Sequence, residues 1–196
     1  MDAARRCAAL GHHVDEASPR VSGEHFTDIF TTIWLGMVAW AIRDWSRRLG
    51  REPSAADFEA HTWKMYSLDA ARRPSDLFLA IQDMQRMARD IAPFFDDYDV
   101  WLTPTTTQPP QPNGWFDFDP AQPRQATQRI GDVPKFTAIA NITGQPAISL
   151  PLYWTDDGLP VGVQIVGRYG DEATVLRLAA QLEADAPWRH RRPPLA

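Results

Sequence analysis

Apolar positions recur along this chain in two rhythms, one for each half. Phe26, Ile29, Phe30, Ile33, Trp34, Met37, Val38, Ile42, Trp45 and Leu49 fall at three- and four-residue steps, the period of one face of an α-helix. The pattern predicts a long amphipathic helix that ends at Gly50. A weaker helical pattern spans about 54 to 71, with Ser54 as its cap. A better marked one opens at Pro74 and Ser75 and carries Leu77, Phe78, Ile81, Met84, Met87, Ala88 and Ile91 on its period until Pro93. Residues 2 to 10 suit a short helix stopped by Gly11, leading into an extended, strand-like HHVDEAS.

After residue 98 the rhythm changes. YDVWLTP, residues 98 to 104, has contiguous Val, Trp and Leu and reads as a short buried strand stopped by proline. Residues 104 to 134 hold seven of the 17 prolines and few aliphatics, which predicts a long irregular loop with Trp115, Phe116 and Phe118 as anchors. Beyond it, FTAIANITG suggests a short helix, AISLPLYW a strand, TDDGLP a turn, VGVQIVGR a strand and DEATVLRLAAQLE a helix. Ile148, Leu150 and Leu152 share one strand face at period two, and Asp157 with Gly158 tolerates a left-handed turn. Asp171 and Glu172 favour the positive end of the last helix, whose Val175, Leu178, Ala179 and Leu182 are placed to cover the sheet.

Composition narrows the function. The chain has 196 residues, of which 44% are hydrophobic, enough for a buried core. A formal net charge of -5 with scattered Arg and Lys gives no basic face for nucleic acid. The uncharged, largely apolar stretch Ile29 to Ile42 has 14 residues, short of the ~20 that a membrane span needs, and is read as a buried soluble helix. Cys7 is the single cysteine, so no intrachain disulfide exists and a reducing cytoplasm fits. MDAARRCAALGHH lacks the apolar run of a signal peptide.

The last third carries a resemblance. FTAIANITGQPAISLP, residues 136 to 151, and LPVGVQIVGRYGDEATVLRLAAQLE, residues 159 to 183, resemble the C-terminal region of amidase-signature enzymes. AARRCAALGHHVDEASP and YDVWLTPTT fit the same family order, whereas residues 17 to 95 are much less diagnostic. The resemblance implies an incomplete α/β amidase-signature fold in one partial domain, with a mixed β-sheet covered by helices and a helical first half. It also implies hydrolysis of a carboxylic amide to acid and amine without a metal or other cofactor, by a triad of a lysine, a bridging serine and a nucleophilic serine in a Gly/Ser-rich segment. Here the only lysines are Lys64 and Lys135. The seven serines, Ser18, Ser22, Ser46, Ser54, Ser67, Ser75 and Ser149, include no adjacent pair, so no triad residue carries over.

What the chain offers is pocket wall. Thr103, Thr105 and Thr106 follow a strand end, and Asn141, Thr143, Gly144 and Gln145 form a turn rich in hydrogen-bonding groups. Both places suit orientation of a ligand amide, and both equally suit ordinary turn chemistry. Ser149 lies nearest a matched motif but has no base in local sequence, so it reads as a packed side chain. Lys135 reads as a solvated lysine. His12 and His13 are adjacent, and adjacent strand residues point to opposite faces, so they do not suggest a shared metal.

The expected function is the C-terminal part of a cytoplasmic amidase, inactive alone, that acts on a small-molecule amide in the intact enzyme. Two alternatives stand beside it: the second chain of a split amidase completed by an N-terminal catalytic chain, and a non-catalytic binding or scaffold module. Removal of an upstream half also predicts exposed sheet edge and apolar surface, and with them homo-oligomerisation.

Overall fold

The computed structural model describes residues 2–21, 23–119 and 121–192; Met1 and Ser22 lie outside them. The helical half comprises α1 (Asp2–Ala9), α2 (Gly23–Leu49), α3 (Ala60–Asp69), α4 (Pro74–Ile91) and α5 (Phe94–Asp97). The second half places β1 (Val100–Pro104), α6 (Pro123–Asp132), α7 (Thr137–Thr143), β2 (Ala147–Trp154), β3 (Pro160–Gly167) and α8 (Glu172–Asp185) in that order. The fold is α/β with a helical first half, as the family resemblance implies, but the described strands form an antiparallel sheet where a mixed one was expected.

The three strands pair in the order β1-β3-β2, both pairs antiparallel. β3 is central, which suits its run of Val and Ile. Pro151, which cannot donate to a ladder, sits in the outer strand β2. There the register slips by one residue between Leu150 and Tyr153, as a β-bulge does. Gly158 at the β2–β3 turn has φ +85°, and no described non-glycine residue has positive φ. Asp157 therefore does not share the left-handed role expected of it.

One face of the sheet packs against α8 and α1. Leu150, Leu152, Ile165, Val175, Leu178, Ala179, Leu182 and Cys7 are all buried in this cluster. The helix begins with the Asp171 carboxylate accepting the Thr174 N–H at 3.2 Å, a side-chain cap for an otherwise orphaned donor. The other face packs Val166 with Ile29 of α2, Met87 and Ile91 of α4, Phe95 of α5 and Ala140 of α7.

Four further expectations change. The segment after α1, residues 12 to 21, is not in a strand, because it has no ladder partner among the described strands. The helix expected over 54 to 71 is split into a 3-10 turn, Ala55–Asp57, and α3. Asp57 turns back onto the N–H and hydroxyl of Ser54 at 2.9 Å each, and Phe58 is extended with φ -138°. The proline-rich stretch contains the ten-residue α6, with Pro123 in its first turn, where a missing N–H costs nothing. Finally, α2 is buried on one side only.

Ile29, Leu35, Ala39 and Ile42 of α2 are enclosed, while Trp34, Met37, Trp40, Trp45 and Leu49 are exposed. The helix packs against α3 and α4. From His25 to Leu49 it is long and apolar enough, by length and composition, to cross a membrane.

Candidate functional site

A row of polar side chains crosses the face of the sheet opposite α8. The register sets Thr103 of β1 beside Gln164 of β3, and Gln164 beside Ser149 of β2. Side chains two residues apart share a face, so Thr105 and Gly162 belong to the next row. Gln164 is 3% exposed and Thr103 6%. The Gln164 Nε2 donates to Thr103 Oγ1 at 3.1 Å and to the Phe136 carbonyl at 3.4 Å. This satisfies a buried amide and fastens the entry to α7 onto the sheet.

The Thr105 Oγ1 lies 2.6 Å from Ser149 Oγ. The two hydroxyls meet across Gly162, where any Cβ would stand 2.6 Å from each of them. Thr105 is also tied down through its N–H, which donates to the Gly162 carbonyl at 3.0 Å. In such a pair one hydroxyl donates to the other and the second keeps a proton for a ligand acceptor. Thr106 points elsewhere, its hydroxyl donating to the Gln108 carbonyl at 2.8 Å.

The remaining candidates form a separate group. Gly144 ends α7 with φ +73°. The Thr143 hydroxyl bonds the Ile139 carbonyl at 3.0 Å and Gln145 Oε1 at 2.9 Å, and Gln145 Nε2 donates to the Gly167 carbonyl at 2.8 Å. These bonds close a turn onto the end of β3. Gly162 and Gly167 are separated by roughly 17 Å at ~3.3 Å per strand residue, so the structure does not gather all seven candidates into one site. Asn141 is exposed on α7.

The groups set aside as non-catalytic have ordinary partners. Lys135 pairs with Asp132 at 2.8 Å, and Ser149 has a neutral hydroxyl rather than a base beside it. His12 meets Gln181 at 2.8 Å and His13 meets Asp15 at 3.1 Å. The Trp115 anchor is held by Arg129, which donates to its carbonyl at 2.7 Å and stacks 4.6 Å from its ring centre. Phe116 meets the Trp115 ring edge to face.

Two residues central to the polar row were missed in the sequence. Gln164 is the one polar side chain in VGVQIVG, and Gly162 is a glycine inside the same strand, a sign of close approach by a neighbour. A cavity of about 600 Å³ opens elsewhere, among α2, α3 and α4, and none of the candidates lines it.

The profile of the Amidase family matches residues 1–176 of this chain. The chain belongs to the amidase family. Its similarity to AmiC of Mycobacterium leprae, named as an amidase, is 33% identity over 188 residues, covering 96% of this chain and 40% of that protein. With the 6-aminohexanoate-cyclic-dimer hydrolase of Paenarthrobacter ureafaciens it shares 32% identity over 200 residues, covering 98% and 41%. A solved structure of 6-aminohexanoate cyclic dimer hydrolase superposes with a TM-score of 0.88 at 31% identity, over 98% of this chain and 41% of that one. A bacterial aryl acylamidase of the amidase-signature family shares the fold, with a TM-score of 0.71 at 23% identity over 95% and 39%. This amidase chain thus spans about two fifths of the relatives it matches.

Proposed function

We propose that this chain supplies amide-binding wall to an amidase that hydrolyses a carboxylic amide C–N bond to acid and amine, and that it is inactive alone. The observation that carries this reading is the Thr105–Ser149 hydroxyl pair beside the buried Gln164–Thr103 pair, within a chain of the amidase family. Its spare O–H suits the carbonyl oxygen of a bound amide, and its lone pairs suit an amide N–H. Gln164 and Thr103, being buried and mutually bonded, hold the strands that present the pair.

Hydrolysis further needs a nucleophile, a base and donors for the developing oxyanion. Ser149 cannot pass its proton to Thr105, a neutral hydroxyl with no basicity near pH 7. Both lysines lie outside a serine-rich motif. The catalytic groups therefore come from another segment, either contiguous with this one in a longer protein or on a partner chain. A small-molecule amide as substrate belongs to the same proposal. So does residence in the cytoplasm, where the free Cys7 thiol meets a reducing environment.

A fluorophosphonate serine probe and an anilide hydrolysis assay test the proposal together. The purified chain should remain unlabelled and inactive. Stoichiometric labelling that disappears in Ser149→Ala, with turnover, would overturn it. Joined to an amidase segment carrying the lysine and both catalytic serines, the chain should support hydrolysis, and Thr105→Ala with Ser149→Ala should weaken substrate binding.

A further inference from the structure

We infer that the helical half carries a second ligand site, for a small organic carboxylate with an aromatic or aliphatic body. The cavity among α2, α3 and α4 holds about 600 Å³, within the ~300–1,000 Å³ of small-molecule sites. Its charge is uneven: Arg43, Arg47, Arg72 and Arg73 line it against Asp44 and Asp69. Asp44 is already engaged by Arg47 and by Arg48, at 2.7 Å each. The cavity therefore favours an anion.

Two of the arginines are held in place without being neutralised. Arg72 donates from Nη1 to Thr32 Oγ1 at 2.7 Å, which uses one of five donors and none of the charge. Arg43 rests with Cζ 5.9 Å from the Tyr66 ring centre, a contact that orients a cation and leaves its charge in place. Planar forks from two different elements suit a carboxylate, which accepts paired N–H donors.

The apolar half of the cavity specifies the ligand's body. Ala39, Trp40 and Leu77 line it, and Trp40 is 69% exposed despite lying in the wall, so its indole face is open to a ring or chain. Gly36 lets α4 approach this closely, because a Cβ there would stand 3.3 Å from Leu77 Cδ1. None of these residues belongs to the polar row on the sheet, so the inference stands independently of the proposed hydrolysis.

Titration of the purified chain with phenylacetate, read by tryptophan fluorescence and calorimetry, tests the site. Saturable one-to-one binding is expected. Acetate, which lacks the apolar body, should bind at least about tenfold more weakly, and Arg43→Gln with Arg72→Gln should cost about tenfold or more. Trp40→Ala changes an exposed side chain and should also weaken binding, which gives a second reading should the double variant lose its circular-dichroism signal. Thr105→Ala with Ser149→Ala should leave binding unchanged. No saturation at millimolar phenylacetate, displacement by equimolar inorganic phosphate, or full affinity in a folded arginine double variant would each overturn the assignment.

Discussion

Thr105 and Ser149, 44 residues apart, bring their hydroxyl oxygens within 2.6 Å of each other across Gly162. A methyl group at 162 would meet both oxygens at 2.6 Å and Thr105 Cβ at 2.9 Å, inside any normal contact. Gly162→Ala should therefore destabilise the chain by about 1–3 kcal/mol, the usual cost of overpacking. Removing one oxygen with Ser149→Ala should recover only part of that loss, because Thr105 remains. Urea unfolding of the two single variants and the double variant checks it, and full recovery would mean that Thr105 moves aside freely.

Gln164 fills a buried position with an amide, and its value lies in the groups it satisfies. In Gln164→Leu the Thr103 hydroxyl loses the Gln164 donor, while the Phe136 carbonyl keeps the Ile139 N–H at 3.4 Å. Thr103 is buried, so the expected loss is about 1–3 kcal/mol, the penalty for a buried polar group left unpaired. Gln164→Glu should be worse than Leu, since an ionised carboxylate would face two oxygens. A Leu variant as stable as the parent would show that water fills the gap.

The strands, α4 and α8 are legible in the sequence because each has an uninterrupted period and clear stops. Pro74 opens α4, and Asp171 caps α8. The break before α3 is not legible, since it depends on the Asp57 side chain turning back to Ser54 and Arg51. Nor is α6, in a stretch whose prolines suggest a loop until Pro123 proves to occupy a first helical turn. Of the candidate site, Thr103 and Thr105 were found at the end of β1, whereas the bond from Gln164 to Thr103 spans 61 residues. Only the register of β1 on β3 reveals that row. The turn at Thr143, Gly144 and Gln145 was located, and its bonds run within α7 and to Gly167.

Gly144 and Gly158 allow backbone strain to be separated from crowding. Both have positive φ, +73° and +85°. A Cβ at 158 would meet nothing within 4 Å, whereas one at 144 would lie 3.3 Å from Tyr169 Cε2. Gly158→Ala should cost about 1–2 kcal/mol from the left-handed backbone alone. Gly144→Ala should cost more, and the excess should vanish in a Tyr169→Ala background. Equal losses at both glycines in the parent would show that Tyr169, which is 75% exposed, swings away.

Cys7 is 3% exposed in the core between α1 and α8. Burial pushes its thiol up from the ordinary value, with the Arg6 charge opposing. Since the thiolate is the reacting species, alkylation of the folded chain at pH 8 should be at least about tenfold slower than in urea. Equal rates would mean that α1 opens readily. That outcome would in turn call for weakness in the Arg6–Asp185 pair, which joins α1 to α8 at 2.6 Å.

Asp57 should give the α2–α3 connection a distinctive acid response. Arg51 donates to its two oxygens at 2.7 and 2.9 Å, and the Ser54 N–H and hydroxyl add two more bonds at 2.9 Å. The Arg51 hydrogen bonds, then those from Ser54, hold the carboxyl well below the usual carboxylate range. A depressed folded value means that the unfolded chain binds the proton more readily. The stabilisation is thus fully present above the unfolded aspartate value of ~3.9, and it is lost as the pH falls toward the folded value. Asp57→Asn should destabilise the chain by the same margin at pH 7 and pH 5, and that margin should shrink progressively below pH ~3.9. Urea unfolding of parent and variant across this range reads it directly. A margin that collapses already between pH 7 and pH 5 would show that the Arg51–Asp57 bonds do not hold in solution, and with them would go the physical reason for the break before α3.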